Sequence, residues 1–363
     1  MIDLHKFKEA LKDHLTFYHE CLTPKHPFFV SPKNQNESDE FIVVSSPSRM
    51  GNHALISMLD GHPELPRVPG EDDFLRHSFF NCTYDLNTYL KHIRSDSNIS
   101  YIRNLSSFPG DTDKWAKLKQ AYTSQEMPSL HAGIQFPTNK LIVADFQDTL
   151  FDVNHEAYVS ALNDLQDSIA RVDNFSELFV LYLSAFVKLD PQFRASRFLA
   201  TYSNSGMRRQ CLWLCENFRK VRILASIRSF DSYAVSHIRS RYREVSFKSE
   251  FIQEAWEHWY HKVIDYCWIK ANYPENIMLI RFEDISKNTQ LVADNISRFL
   301  GIEYNSSMLS STVFGVKNKG NSSKMRDDSL RGKFYSSAEA IPYDLIPKSV
   351  HEVSEALPFG MYI

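Results

Sequence analysis

The sequence predicts an α/β fold with a central, mainly parallel sheet and a largely helical insertion, and three observations lead there. Short apolar runs recur at FIVVSS (41–46), LIVA (141–144), VRILASI (221–227) and IMLIRF (277–282), each with the length of a buried strand. Longer stretches with apolar residues at helical spacing lie between and after them. A polar turn containing Gly51 separates the first run from the helical pattern that follows it. Strands alternating with helices bury both faces of a sheet, which favours parallel pairing.

In chain order, residues 1–23 read as an amphipathic helix through Leu4, Phe7, Leu11, Leu15 and Tyr18. PKNQNESDE (32–40) is aperiodic and polar, hence a loop. After the first strand a helix starts at Asn52, carries Leu55, Met58 and Leu59 on one face, and stops at His62-Pro63. Residues 155–190 are helical in pattern, and with 74–135 they form an insertion that would cover a cleft. The clearest helix is 251–272, with Ile252, Ala255, Trp256, Trp259, Tyr260, Val263, Ile264 and Cys267 on one side. A last one spans 289–300. The whole of 1–363 is read as one domain, with 1–40 an N-terminal helix and loop and 74–200 the helical insertion or acceptor-binding region.

Composition removes several function classes. A net charge of −3 over 363 residues is the wrong sign for a general nucleic-acid binder, so any anion must be held by a local set of cations and amides. The five cysteines are scattered without a CxxC pair, which makes neither a disulfide framework nor a zinc site, and no metal-ligand cluster is read along the chain. The N-terminal stretch mixes acids, bases and histidines and lacks the apolar core of a signal peptide. No uncharged apolar run is long enough to span a bilayer. A cytoplasmic protein without membrane or nucleic-acid partners is expected, and a homodimer is admitted.

Chemistry enters at the turn after the first strand, SSPSRMGNH (45–53). In a parallel sheet, ligands gather at the carboxyl ends of strands, against the N-termini of the helices that follow. Gly51 lets backbone approach a phosphate, the amides of Gly51, Asn52 and His53 open the helix, and Arg49 adds a charge-assisted donor. The same residues also fit an ordinary strand–helix turn. The pattern GxxxxGK[ST] is absent, which argues against a kinase or NTPase.

Ser48-Arg49-Met50-Gly51-Asn52-His53, followed one helix later by Leu59-Asp60-Gly61-His62-Pro63, resembles the phosphosulfate loop of sulfotransferases that use 3′-phosphoadenosine-5′-phosphosulfate (PAPS). Arg49 falls on the family's basic residue and Gly51 on its glycine, while Asn52 and His53 fall on the two hydroxyl positions. Pro47 is one place early, Ser48 stands for the proline, and Met50 stands for a serine and can offer only its backbone. A second block resembles the family's 3′-phosphate pocket: Arg228 ends a strand and Ser236 follows eight residues later in a helix. A third, Ile280 to Ile285 followed by Phe299-Leu300-Gly301-Ile302, resembles an architectural block, so Glu283 and Asp284 receive no chemistry. The loop Lys317 to Lys324, with Lys319, Gly320 and Asn321, resembles the basic segment that folds over the nucleotide. The resemblance covers about 41–72 and 205–325, and is nearest to bacterial-type and tyrosylprotein or carbohydrate members.

That resemblance implies a three-layer fold of the P-loop NTPase kind, PAPS as cofactor and 3′-phosphoadenosine-5′-phosphate as product. It implies metal-independent, in-line transfer to a hydroxyl or amine. Arg49 would neutralise the departing phosphate, with His53 donating to the same group. Glu71 or Asp72, in Gly70-Glu71-Asp72-Asp73, falls where such members keep the general base; the bland alternative is a solvated acidic turn. His53 and His77 stand in reserve. A small-molecule acceptor is expected. Two rivals stay open: a non-catalytic nucleotide binder with a degenerate site, and another P-loop-like transferase.

Overall fold

The computed structural model describes residues 40–46, 49–67, 134–135, 140–143, 151–152, 155–169, 171, 179–181, 183–184, 187–190, 197–202, 211, 214–215, 218–242, 247–317, 332–334 and 341. The first strand, β1 (Glu40–Ser45), runs straight into the core, with Ile42, Val43 and Val44 fully buried. Helix α1 (Asn52–Leu59) follows the Arg49–Gly51 turn. Next come β2 (Ile134–Gln135), β3 (Lys140–Val143), β4 (Phe151–Asp152) and α2 (His155–Ile169). The chain re-enters the centre with β5 (Arg197–Tyr202) and β6 (Val221–Ile227), then α3 (Phe230–Tyr242) and the long α4 (Ser249–Asn272). Strand β7 (Ile277–Arg281), helices α5 (Phe282–Lys287) and α6 (Thr289–Leu300), and the hairpin β8 (Thr312–Val313) and β9 (Val316–Lys317) complete it.

The central sheet has the order β5-β1-β6-β7 and every pairing in it is parallel. From β1 the chain goes to one neighbour, β5, and then crosses to the other, β6. Strand order therefore reverses about β1, and the crevice at the carboxyl ends of β1 and β6 is the place where such sheets take ligands. The two turns singled out by sequence leave these two adjacent strands.

Two expectations change. LIVA (141–144) was expected in the parallel sheet; β3 instead pairs antiparallel with β2 and β4 in a separate three-stranded sheet. A short apolar run carries no information about its partner, and the hairpin pairings are local. The edge strand β5, RFLATY, had not been anticipated. It lies at the end of the expected insertion (74–200), whose other described elements are α2, the small sheet and a short 3-10 helix (Val187–Leu189). The N-terminal helix expected over 1–23 lies outside the described residues.

Local signals explain the ends of elements. Gly301 (φ 65°) closes α6, with Ile302 N–H reaching the Ser297 carbonyl at 3.0 Å, the left-handed stop that the Phe-Leu-Gly sequence suggests. Arg197, at the start of β5, bridges Glu40 of β1 at 2.7 Å and Glu64 at 2.5 Å, tying the sheet edge to the segment after α1.

The Asp60-Gly61-His62 motif proves to be architectural. Asp60 is buried, and its carboxylate accepts from the Phe314 amide at 2.9 Å and the Gly315 amide at 2.7 Å in the β8–β9 turn. Burial raises its pKa, against the pull of these hydrogen bonds and of Arg67. His62 accepts from the Glu64 amide at Nδ1 (3.2 Å) and donates from Nε2 to the Glu303 carbonyl (2.9 Å), so both ring nitrogens are engaged. The motif thus fixes the end of α1 to the hairpin from which the Lys317–Lys324 segment departs. Asp60→Ala leaves two inward amides without acceptors and should cost about 2–4 kcal/mol. A lowered urea midpoint at unchanged slope would show it.

Candidate functional site

The turn after β1 is held from beneath. Ser226, inside β6, donates its hydroxyl to the Met50 carbonyl at 2.7 Å, and its amide donates to Ser46 Oγ at 2.8 Å. The Ser46 hydroxyl returns to Ser226 Oγ at 2.9 Å, and Tyr266 of α4 donates to the Ser45 carbonyl at 2.5 Å. Met50 is fully buried in the core. The position that carries a serine in the family the loop resembles is thus spent on packing here, and Met50 can face a ligand only through its backbone. Arg49 has φ 72°, a left-handed conformation that costs a side chain about 1–2 kcal/mol and recurs at functional turns.

Gly51 has φ 109° and serves as the N-cap of α1 without any side-chain cap. The Ala54 amide closes back on the Gly51 carbonyl at 3.0 Å, and the start of α1 faces the end of β1, a position suited to an anion. Asn52 is buried and His53 exposed on that turn. A Cβ on residue 51 would overlap the ring of Phe282, at 2.8 Å from Cε2 and 3.1 Å from Cγ. The glycine is required by sterics as well as by φ.

The same ring carries Arg228, whose guanidinium carbon lies 4.1 Å from the Phe282 centroid. Arg228 ends β6 and reaches the Arg49 carbonyl at 3.4 Å. Its own carbonyl accepts from the Trp259 indole at 2.8 Å. Glu283, 7% exposed, accepts from the amide (3.1 Å) and hydroxyl (2.9 Å) of Ser229, which pins the β6–α3 turn. Glu283 is thus a support for the turn, as its architectural reading implied. Burial pushes the Arg228 guanidinium down to about 10; Glu283 opposes that shift and Arg49 adds to it. Nε of Arg228 and the hydroxyl of Ser232, one helical turn further on, are buried with no hydrogen-bond partner among the described residues. Ser236 is half-buried in α3.

Sequence reasoning missed Lys262. Its ammonium donates to the Tyr233 hydroxyl at 2.9 Å. Burial first, and then the charge of Arg49, push it down to about 8. The signal was present: Lys262 stands between Trp259 and Tyr266 on the buried stripe of α4, where a charged residue needs a reason. Tyr233 is pushed up, mainly by burial, against the influence of Arg49. Arg49, Arg228 and Lys262 thus crowd three cations into one place in a chain of net charge −3. Like charges under partial burial repel, and an anion among them turns that repulsion into attraction.

Of the residues expected from sequence, Arg49, Met50, Gly51, Asn52, His53, Arg228 and Ser236 are described, and the first six gather where β1 and β6 end. Ser48, Glu71, Asp72, His77, Lys319, Gly320 and Asn321 lie outside the described residues.

Gly51→Ala should destabilise the fold by about 2–4 kcal/mol, from the strained φ and the overlap with Phe282. In the double variant with Phe282→Ala the losses should fall short of their sum by at least about 1 kcal/mol. Chemical denaturation of the four proteins reads this directly, and strict additivity would remove Phe282 as the cause.

Residues 212–335 match the family model described as the sulfotransferase domain. No curated protein matches the chain. Among solved structures, a sulfotransferase domain from the Synechococcus PCC 7002 olefin synthase is 15% identical, with 90% of this chain and 97% of that one covered and a TM-score of 0.40. A sulfotransferase domain from the curacin biosynthetic pathway is 16% identical, with 88% and 98% covered and a TM-score of 0.41. Sulfotransferase STF9 from Mycobacterium avium is 12% identical, with 84% and 70% covered and a TM-score of 0.35. The family match supports a transferase, and Arg228, Ser236, Lys262 and Phe282 all lie within the segment, residues 212–335, that matches the sulfotransferase domain model.

Proposed function

We propose that the chain transfers the sulfuryl group of PAPS to a hydroxyl or amine of a small-molecule acceptor. The observation that carries this reading is the convergence of Arg49 and Arg228, one from each of two adjacent parallel strands, on either side of the switch point of the sheet. PAPS presents two anionic ends, a 5′-phosphosulfate and a 3′-phosphate. Two separate cationic turns at one crevice suit such a ligand better than they suit a nucleotide with a single phosphate chain.

In this reading Arg49 and the start of α1 take the phosphosulfate, and Arg228 with Ser236 takes the 3′-phosphate. Ser232 offers its buried hydroxyl beside Arg228. The acceptor oxygen attacks sulfur in line as the bond from sulfur to the bridging phosphate oxygen breaks. 3′-Phosphoadenosine-5′-phosphate leaves with the added negative charge. Fixed donors at that oxygen act by electrostatic preorganisation, a contribution of a few kcal/mol per donor where it has been measured. The acceptor proton passes to a base, for which Glu71 or Asp72 is our choice, with His53 and His77 as the imidazole alternatives. Lys262 stands with Arg49 as a further cation on the phosphosulfate side.

Calorimetry with 3′-phosphoadenosine-5′-phosphate, against AMP and ATP, tests the assignment. The bisphosphate should bind far more tightly than AMP, and Arg228→Ala should erase at least about 1.5–3 kcal/mol of that preference, the worth of a charged hydrogen bond. Equal binding of all three would overturn the reading. Tight binding without sulfate transfer to any of a panel of alcohols, phenols and amines would favour a nucleotide binder that has lost its chemistry.

The lowered pKa of Lys262 adds a pH dependence. A bound anion favours the charged lysine, so binding draws a proton onto it at pH above about 8. Affinity should be full below that pH and fall as the pH rises through it. Lys262→Met should weaken binding at pH 7 and flatten this part of the profile. A wild-type affinity constant from pH 7 to 9.5 would exclude Lys262 from the anion site.

A further inference from the structure

Where α3 meets α4, three side chains converge that the proposed transfer does not use. His237 comes from α3, and Glu254 and His258 from successive turns of α4. One ligand-type atom from each lies within 4.8 Å of the other two. The carboxylate oxygen Oε1 of Glu254 is 3.5 Å from His258 Nε2 and 3.9 Å from His237 Nε2. A tetrahedral zinc ion with bonds of about 2.0–2.1 Å holds its donors about 3.4 Å apart. The set is therefore open by less than the reach of small side-chain rotations.

We propose that His237, Glu254 and His258 form a three-ligand site for a divalent transition metal of the zinc type. Three features favour this over an incidental polar cluster. First, the donor set of two imidazoles and one carboxylate is the kind that selects zinc, cobalt or nickel over magnesium or calcium. Second, His237 is already oriented as metal-bound histidines are: Nδ1 pairs with the Tyr233 hydroxyl at 3.3 Å, and the ring stacks on Tyr233 with centroids 5.5 Å apart. That leaves Nε2 facing Glu254 and His258, buried and without a hydrogen-bond partner among the described residues. Third, Glu254 and His258 stand at i and i+4, the spacing that puts two ligands on one helix face. His258 is 44% exposed, so the site opens to solvent and keeps a coordination position for water.

Other charges face the cluster. Arg241 of α3 holds Glu254 Oε1 at 3.0 Å from a 55% exposed position, and the Tyr242 hydroxyl donates to Glu254 Oε2. Lys262 approaches from behind through Tyr233. A metal ion would replace Arg241 at the carboxylate, and the exposed arginine has solvent to move into. Arg241 is thus a competitor, and its removal should strengthen binding. The ion would clamp α3 to α4, the helices that carry Ser236 and Lys262.

Tag-free protein, stripped with chelator, should bind one equivalent of Co2+ with the visible absorption of a tetrahedral site, and Zn2+ should displace it. Zn2+ should raise the melting temperature and Mg2+ should not. His258→Ala, a change at an exposed position, should fold as the wild type and lose more than about 100-fold in Zn2+ affinity, beyond the 10–100-fold typical of an outer-shell change. Arg241→Ala should bind Zn2+ more tightly. Wild-type protein that binds no Co2+ above a surface background would overturn the proposal. So would Zn2+ affinity unchanged by His258→Ala and Glu254→Gln, or unchanged by Arg241→Ala. Nucleotide binding is measured separately, so failure here leaves the transferase reading untouched.

Discussion

The ring of Phe282 occupies the space between Gly51 and Arg228, and much of the candidate site depends on that one wedge. It lies where a side chain at residue 51 would be, which confines the turn after β1 to glycine. It also supports the Arg228 guanidinium by a cation–π contact at 4.1 Å. Its neighbour Glu283 pins the turn that delivers Arg228. Two consecutive residues at the start of α5 therefore set the relation between the two turns of the candidate site, which are 177 residues apart in sequence, as Arg228 and Gly51 are numbered.

Electrostatically the arrangement is costly when empty. Arg49, Arg228 and Lys262 are cations drawn together under partial burial, and the lowered pKa values of Arg228 and Lys262 register that cost. The rest of the fold sustains it. Ser46, Ser226 and Tyr266 hold the first turn by buried hydrogen bonds, and Trp259 holds the second by its indole. These supports are uncharged, whereas Glu283, which pins the second turn through Ser229, also acts on Arg228 by its charge. Cations gathered in this way make the local field positive although the chain as a whole is acidic.

Much of this was legible in the sequence because its signals are local. The run before Arg49, the glycine after it, and the spacing from Arg228 to Ser236 each lie within one strand–turn–helix unit. The Phe-Leu-Gly stop of α6 was likewise readable from a single glycine. What escaped depends on tertiary neighbours. LIVA looked like any buried strand, and its antiparallel partners are invisible in its own residues. Lys262 looked like one charge in a long helix until α4 was laid against Tyr233 and Arg49. Asp60 read as part of a ligand motif, whereas its carboxylate is committed to two amides more than 250 residues away. The cluster of His237, Glu254 and His258 required two helices to cross, which spacing along one chain does not reveal.

The central claim is that the turns after β1 and β6 act as one site for one doubly anionic ligand. Hydrogen–deuterium exchange in the presence and absence of 3′-phosphoadenosine-5′-phosphate, with AMP as the control, tests it most directly. The account predicts that peptides covering 49–55 and 228–236 gain protection together, and that AMP protects the first without the second. Protection of neither segment, or equal protection of both by AMP, would contradict it.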